Sequence, residues 1–290
     1  MKDNKKDWLN KKNTIDEYVH PEYYNILLKN YSFNKKNDLD YLKEFSVELN
    51  PEKILELGSG TGRASCVVTA LHPNASFVFS DLSKRMLDYH KAKTDLMKKR
   101  FVVSDSIDFM NNTAEVFDYV YSLWSFSHSV HQHINNLGIV KAESEIIKTI
   151  NKFISENIKK DGHFFLIHFD SMSEEQEVLM RQWNRVYKTF SDISTQSPSK
   201  RIIDKALLQN DYEGKIFLTI EHLEGDAIFY KNEEELLEIF MNFHLETYFN
   251  DSDLRDIVLE DILEQSKKYK NSAGNYIIKP GCYIYKIKKR

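Results

Sequence analysis

The sequence predicts an α/β fold in which a mostly parallel sheet carries helices on both faces. Three observations predict it. Apolar segments of strand length alternate with helical patterns through the first 170 residues, one strand runs directly into a glycine-rich turn, and the next two strands each end at an acidic residue. Strand, glycine turn and helix in this order form a nucleotide pocket at the carboxyl end of a parallel sheet.

The first strand and its turn occupy residues 53–62. An apolar run at 54–57 reads as the strand, and a helical pattern begins at Arg63. The spacing of the glycines differs from the phosphate-binding pattern G-x-x-x-x-G-K-S/T and from G-x-G-x-x-G. Glu56, inside the strand, suits a cationic ligand and repels a pyrophosphate. Glycines let the backbone approach a ligand that a Cβ would exclude, and the turn reads Gly58, Ser59, Gly60, Thr61, Gly62.

Two further strands end in polar residues. The second, at 77–81, ends at Asp81, whose carboxylate can accept hydrogen bonds from both hydroxyls of a ribose. Ser83 is placed to cap the helix that follows. The third strand, near 101–104, leads into Asp105 and Ser106. The predicted ligand site therefore extends across three neighbouring strand ends.

These motifs resemble those of the class I S-adenosylmethionine-dependent methyltransferases. The resemblance covers residues 35–170 well and continues through strands at 117–122 and 161–167. It implies a Rossmann-like sheet of seven strands, of which the last lies antiparallel to its neighbours. The matching residues are Glu56-Leu57-Gly58-Ser59-Gly60-Thr61-Gly62, Asp81-Leu82-Ser83 with Met86-Leu87, and Asp105-Ser106.

The resemblance also implies the cofactor, S-adenosylmethionine, and how it is held. The glycine turn packs against the methionine part, Asp81 binds the ribose, and Asp105 binds the adenine amine. No metal is predicted, because the histidines at 128, 131 and 133 lack nearby acids at ligand-like spacing. The predicted cofactor-binding residues are Glu56, Gly58, Ser59, Gly60, Gly62, Asp81, Leu82, Met86, Asp105, Ser106 and Ser122.

The methyl-acceptor end is predicted from the segment after strand four, which lies beneath the sulfonium in the resembled family. Trp124 and Phe126 are candidates to contact the cation through a ring face, or else core residues. His128 is a candidate general base, because an imidazole titrates near neutral pH. His168, at the end of strand five, is a second candidate or a satisfied core histidine. The predicted catalytic residues are Trp124, His128 and His168, although positioning alone could drive transfer from a sulfonium.

Four regions are expected. Residues 1–34, rich in aromatic residues, form a helical lid; 35–170 form the cofactor-binding core; 171–213 form a helical substrate cap inserted after strand five; and 214–290 complete the core sheet. Within the last region, strands are expected at 215–222, 244–250 and 281–287, with helices at 233–243 and 251–270.

Composition narrows the function. The net charge of −4 and pI of about 6.2 argue against a nucleic-acid substrate. The 290 residues contain no apolar run of about 18 residues and no apolar signal segment at the start, so no membrane span and a cytoplasmic location are expected. Two cysteines cannot form a disulfide framework.

The function expected from the sequence is methyl transfer to nitrogen or oxygen of a small-molecule acceptor. Three alternatives stay open. The chain could use the same sulfonium for alkyl transfer or internal cyclisation with release of methylthioadenosine, it could methylate protein or RNA, or it could bind the cofactor without catalysis.

Overall fold

The computed structural model describes residues 8–9, 28–186 and 196–290. Its main sheet has seven strands in the order β3-β2-β1-β4-β5-β9-β6. The first five are parallel, and β9 lies antiparallel between β5 and β6. The seven-stranded, mostly parallel sheet predicted from the sequence is thereby confirmed. The strands are β1 (Lys53–Leu57), β2 (Ser76–Asp81), β3 (Lys99–Val103), β4 (Phe117–Leu123), β5 (Ile158–Phe169), β6 (Ile216–Glu224), β7 (Ile228–Tyr230), β8 (Tyr276–Ile278) and β9 (Gly281–Lys289).

Most helices begin at a polar residue that accepts a hydrogen bond from a main-chain N–H of the first turn. Asn37, Ser83, Asp105, Ser173, Ser197 and Asn232 act in this way. The α-helices are α1 (Asp38–Ser46), α2 (Arg63–Leu71), α3 (Lys84–Ala92), α4 (Ser106–Asn112), α5 (Phe126–Leu137), α6 (Ile139–Asn157), α7 (Glu174–Trp183), α8 (Pro198–Tyr212), α9 (Glu233–Ile239) and α10 (Arg255–Ser266).

The helices cover both faces of the sheet. One face packs on α1 and α2, and the other on α4, α5, α6 and α8. Along β5 the side chains alternate between the two cores, so that Phe165 and Ile167 face one side and Phe164 and Leu166 the other. All five parallel strands end at the same edge, which brings the predicted cofactor residues together.

The region after β6 differs from the prediction. Only Ile216–Glu224 and Gly281–Lys289 join the main sheet. Residues 225–279 between them form an insertion, in which β7 pairs with β8 and α9 continues into a π-helix, Phe240–His244. The strand predicted at 244–250 is wrong, because this segment continues the helix and then turns. Its apolar residues Leu245 and Phe249 are buried among helices rather than in a sheet.

The region predicted as a cap is divided between two faces. Helix α7 packs against α10 of the insertion, whereas α8 packs against α6 and β6 on the opposite face. Of the two described helices of this region, α7 therefore lies on the face of the sheet that carries Trp124, and α8 on the other. Residues 187–195, and most of the predicted lid, lie outside the described residues.

The described part of the predicted lid packs inwards. Leu28, Tyr31 and Phe33 are buried, and Trp8 packs on the same core. Within the described residues, no helix combines the length and the apolar character needed to cross a membrane.

Candidate functional site

The glycine turn follows β1 at the carboxyl edge of the sheet. Gly58, Gly60 and Gly62 all have positive φ, at 72°, 52° and 83°, a region that residues with a Cβ rarely adopt. A Cβ on Gly58 would meet Ser125 Oγ at 1.9 Å, and one on Gly62 would meet the His90 ring at 2.2 Å. A Cβ on Gly60 would meet no atom of the described residues within 4 Å. Only the middle glycine therefore faces open space.

Asp81 holds this turn in shape. Its Oδ2 accepts the Gly60 N–H at 2.7 Å, and its Oδ1 accepts the Ser83 N–H at 2.8 Å. Burial raises the pKa of the Asp81 carboxyl, against these two hydrogen bonds. Of the two neighbours predicted to bind the cofactor, Leu82 is 51% exposed beside Asp81, whereas the Met86 side chain is buried in α3.

Glu56 is buried beneath the turn. The Ser65 and Tyr121 hydroxyls both donate to its Oε2, the latter at 2.8 Å. Burial raises the pKa of Glu56 to about 8, so this side chain is mostly protonated at neutral pH. A cation bound nearby would favour its ionised form.

Asp105 caps α4 through its Oδ1, which accepts the Ile107 N–H at 2.8 Å and lies 3.1 Å from His133 Nε2. Burial alone would raise the pKa of Asp105, but hydrogen bonds with His133 and Ser129 outweigh it and hold that pKa below its usual value. Ser106 is buried beside it, and its N–H donates to Ser129 Oγ at 3.2 Å. The acid predicted to bind adenine therefore lies at the edge, fixed in orientation.

The prediction of no metal rested on the lack of acids at ligand-like spacing near the histidines, and the structure places His133 near two acids that precede it in the chain. Ligand atoms of Asp105, Asp108 and His133 lie within 4.8 Å of one another. The contact with Asp105 raises the pKa of His133, so this group reads as an ion pair that orients Asp105.

Ser122 and Ser59 have different roles at the base of the turn. Ser122 Oγ donates to the Leu57 carbonyl at 2.7 Å and so joins β4 to β1. Ser59 Oγ is buried and makes no hydrogen bond within the part of the chain that the structure describes. An orphaned buried hydroxyl beside an open glycine fits a polar ligand at this position.

Trp124 follows β4 in a left-handed conformation, with φ at 66°. Such conformations are costly for residues with a Cβ and cluster at functional sites. The indole N–H donates to Asp38 Oδ2 at 2.6 Å, and Asp38 forms a two-pronged pair with Arg63 at the end of the glycine turn. Sequence reasoning missed Asp38, because it lies 86 positions from Trp124.

Trp124 is the centre of an aromatic group that we call the Trp124 cluster. Ring centroids of its partners lie 4.8–6.3 Å from the indole, and the partners are Tyr31, Phe33 and Phe169. Phe126, the other aromatic candidate, packs against Phe164 in the core on the opposite face. Phe126 is therefore a core residue and does not contact the predicted sulfonium site.

The two candidate histidines occupy different environments. His128 is half-exposed, has its ring 6.4 Å from that of Phe169, and has Nδ1 3.7 Å from Glu246 Oε1. His168 lies on the other face, with Nε2 3.1 Å from Ser199 Oγ and Nδ1 2.7 Å from the Phe169 carbonyl. Burial lowers the pKa of His168 to about 4. The structure brings His128, but not His168, beside the Trp124 cluster.

Asp170, directly after β5, also has its carboxylate oxygens engaged by other residues of the protein. Asp170 Oδ2 lies 2.7 Å from His222 Nε2, and its Oδ1 accepts the Met172 N–H at 2.9 Å. His222 stacks on Tyr283 with ring centroids 4.6 Å apart. These contacts fix the start of β9 against the end of β5.

Part of the chain is similar in sequence to known methyltransferases. Residues 54–139 match the family model of a methyltransferase domain. A malonyl-[acyl-carrier protein] O-methyltransferase from Legionella pneumophila is 32% identical over 113 residues, which is 39% of this chain and 36% of that protein. The chain thus spans about a third of the length of this curated relative.

Two solved structures share the fold. The YcgJ protein from Bacillus subtilis has a TM-score of 0.55 at 13% identity, with 87% of this chain and 97% of that chain covered. A protein from Bacillus halodurans has a TM-score of 0.53 at 18% identity, with coverage of 87% and 98%. Identities this low establish the common fold and nothing further.

Proposed function

We propose that this protein, a class I S-adenosylmethionine-dependent methyltransferase by its motifs, its sheet order and its matched domain, transfers a methyl group to nitrogen or oxygen of a small molecule. The observation that carries the proposal is the Gly58–Gly62 turn, with open space at Gly60 and Asp81, Asp105 and Trp124 at the adjoining strand ends. When bound, S-adenosylmethionine supplies a methyl group on a sulfonium, which is an intrinsically good leaving group.

The side chains of this edge fit that cofactor. The Ser59 hydroxyl, buried without a partner among the described residues, can bond the methionine part. Asp81 can accept ribose hydroxyls with its remaining lone pairs, and Asp105 can accept an adenine amine. Glu56 can neutralise a nearby cation by losing its proton. Leu82 offers an exposed apolar surface for the adenine face to cover.

The acceptor side is enclosed by aromatic rings. The Trp124 cluster can stabilise a cationic sulfur through its ring faces, at about 0.5–2 kcal/mol. His128, at the open side of this cluster, is placed to receive a proton from the acceptor as the new bond forms. Positioning and exclusion of water supply the rest of the rate. The proposal includes residues 1–34 as a lid over the cofactor and α7 as a cap over the acceptor. It also includes a cytoplasmic location.

The experiment tests binding and reaction together. Purified protein is incubated with S-adenosylmethionine, with and without a metabolite extract, and the nucleoside product is identified by mass spectrometry. S-adenosylhomocysteine formed only with extract supports methyl transfer. Methylthioadenosine would instead indicate alkyl transfer or cyclisation, and binding without turnover would indicate a non-catalytic binder.

A matched pair of variants tests the site. Gly60→Val should abolish cofactor binding in calorimetry, because the side chain fills the open space. Gly274→Val is the control, since Gly274 also has positive φ, at 87°, and nothing within 4 Å of an added Cβ, but lies outside the edge. Equal cofactor affinity in both variants would remove the glycine turn from the site.

A second acceptor class has one observation in its favour. The curated relative is named for O-methylation on an acyl-carrier protein. A carrier-bound carboxylate should therefore be assayed beside the metabolite extract, together with total protein and RNA. Turnover on a polymer alone would replace the small-molecule proposal.

A further inference from the structure

Helix α7 begins with three acids, Glu174, Glu175 and Glu177, which favour the positive end of the helix dipole. Two of them have partners at the surface. Glu174 accepts the Lys279 N–H at 2.8 Å, and Glu177 pairs with Lys268 at 2.7 Å. Glu175 differs, because its side chain is 1% exposed and points into the protein.

The partners of Glu175 are polar but uncharged. The Tyr31 hydroxyl donates to its Oε2, and Gln176 Nε2 donates to its Oε1 at 3.3 Å. His244 Nε2 lies 3.6 Å from Oε2, and burial lowers the pKa of this imidazole despite the nearby acid. Within residues 28–186 and 196–290, no lysine or arginine lies within ion-pair distance of Glu175.

A buried carboxylate normally has a cationic partner, because taking an unpaired charge out of water is costly. The helix dipole alone does not explain this position, since the helix end already carries two acids nearer the surface, Glu174 and Glu177. The missing positive charge therefore points to a ligand. An ammonium group offers three donors to a carboxylate and is also attracted to aromatic ring faces.

The surroundings of Glu175 match such a ligand. Tyr31 and His244 line a small cavity with Asn30, Tyr230 and Phe243, closed at its sides by two isoleucines. The cavity lies between residues 30–31, β7 and the end of α9 with the π-helix that follows it. Its polar end is formed by Tyr31 and His244, which both contact Glu175, and the rings of Tyr230 and Phe243 form part of its walls.

This cavity is connected to the reaction centre through one side chain. The Tyr31 ring lies 6.3 Å from Trp124, and the Tyr31 hydroxyl bonds Glu175. A molecule held at Glu175 and extended past Tyr31 would reach the Trp124 cluster. Tyr31 therefore lies between the Glu175 carboxylate and the Trp124 cluster.

We infer that Glu175 is the specificity-determining residue for the acceptor, and that the acceptor is a small molecule carrying a protonated amine held by this carboxylate among the rings of Tyr31, Tyr230 and Phe243. The inference rests on the proposed function and narrows it from any nitrogen or oxygen acceptor to a cationic amine. An alcohol of the same skeleton or an anionic acceptor would bring no positive charge to the Glu175 carboxylate, so neither is expected to be methylated.

The test divides a metabolite extract on a cation-exchange column at pH 7. The retained fraction and the flow-through are each supplied with methyl-labelled S-adenosylmethionine and the full-length protein. We expect label transfer with the retained, cationic fraction. Transfer confined to the flow-through would overturn the inference and leave the proposed function standing, whereas cofactor binding with transfer to neither fraction would overturn both.

Variants then assign the effect to Glu175. With the retained fraction, Glu175→Gln should lower kcat/KM at least tenfold and leave cofactor affinity within twofold, which also verifies folding. Glu177→Gln, on the same helix with a surface partner, should match wild type. Tyr31→Phe removes only the hydroxyl that competes for the carboxylate, so it should not raise KM. Normal kcat/KM in Glu175→Gln would overturn the assignment.

Discussion

At the scale of single residues, Asp81 has two partners in the protein as well as a predicted role with the cofactor. The Gly60 and Ser83 N–H groups already bond its two oxygens. A carboxylate oxygen has a second lone pair, so it can hold the loop and accept a ribose hydroxyl together. The protein contacts hold the turn in shape, and in the proposed complex the ribose hydroxyls would take the remaining lone pairs of Asp81.

This double role predicts an ordered series of affinities. Asp81→Ala should weaken S-adenosylmethionine binding more than about tenfold, because charged hydrogen bonds are worth roughly 1.5–3 kcal/mol and the turn also loses its support. Asp81→Asn keeps one acceptor for Gly60 and should fall between Ala and wild type. Calorimetry measures all three, and equal affinities would contradict the ribose role.

Replacing His128 tests whether a general base takes part in methyl transfer. If it receives the acceptor's proton, His128→Ala should lower turnover by about 10²–10⁴-fold and barely change cofactor affinity. The wild-type rate should depend on pH with an inflection that the variant lacks. Gln132→Ala, exposed on the same helix, is the control. A flat profile with near-normal His128→Ala turnover would favour positioning by the Trp124 cluster.

At the scale of elements, the site depends on a buried link between α1, the glycine turn and β4. Asp38, at the start of α1, is 1% exposed and joins Arg63 to the Trp124 indole. Removing one partner of a buried pair leaves the other charge uncompensated. The link therefore holds three separate segments in the arrangement that the cofactor meets.

Urea unfolding can measure this link. Asp38→Ala should lower the free energy of unfolding by about 3 kcal/mol or more. Glu44→Ala removes an exposed pair with Lys36 from the same helix and should cost under about 1 kcal/mol. Similar losses in both variants would show that the Asp38 pair is no stronger than a surface contact.

Local sequence patterns account for the cofactor end and not for the acceptor end. The glycine turn, Ser83 and the strand-end acids are encoded within a few residues of one another, so their periodicity and spacing predict them. The acceptor end depends on contacts between distant segments, such as Tyr31 with Glu175, 144 positions apart. No local pattern carries that information. The segment 244–250 was misread for a related reason, because buried apolar residues suit a strand or a helix equally.

At the scale of the whole molecule, buried titratable groups set the dependence of stability on pH. Glu56 titrates near 8 in the folded chain and near its usual, lower value when unfolded. Between those two pKa values the folded state binds more protons than the unfolded state, so the stability of the fold decreases as pH rises. Burial lowers the pKa of His90 and His168 to about 4, so these groups act oppositely and destabilise the fold as pH drops below about 6.5.

Glu56→Gln isolates the first effect. The amide can still accept from Ser65 and Tyr121 but cannot ionise. The free energy of unfolding of the Glu56→Gln variant, relative to that of wild type, should therefore increase from pH 5 to pH 8. Urea unfolding across that range measures it. Bound cofactor should shrink the difference, because a cation stabilises the ionised Glu56. A difference that stays constant with pH would show that Glu56 does not titrate there.

The position of β9 has a consequence for how the chain assembles. Its pairing with β5 joins residues more than a hundred positions apart, and β6 meets the sheet only through β9. Strands β1 to β4, by contrast, come from one contiguous stretch. Because distant pairings close slowly, the cofactor edge can form first, and the last two strands and the acceptor enclosure should follow as a later, slower phase of refolding.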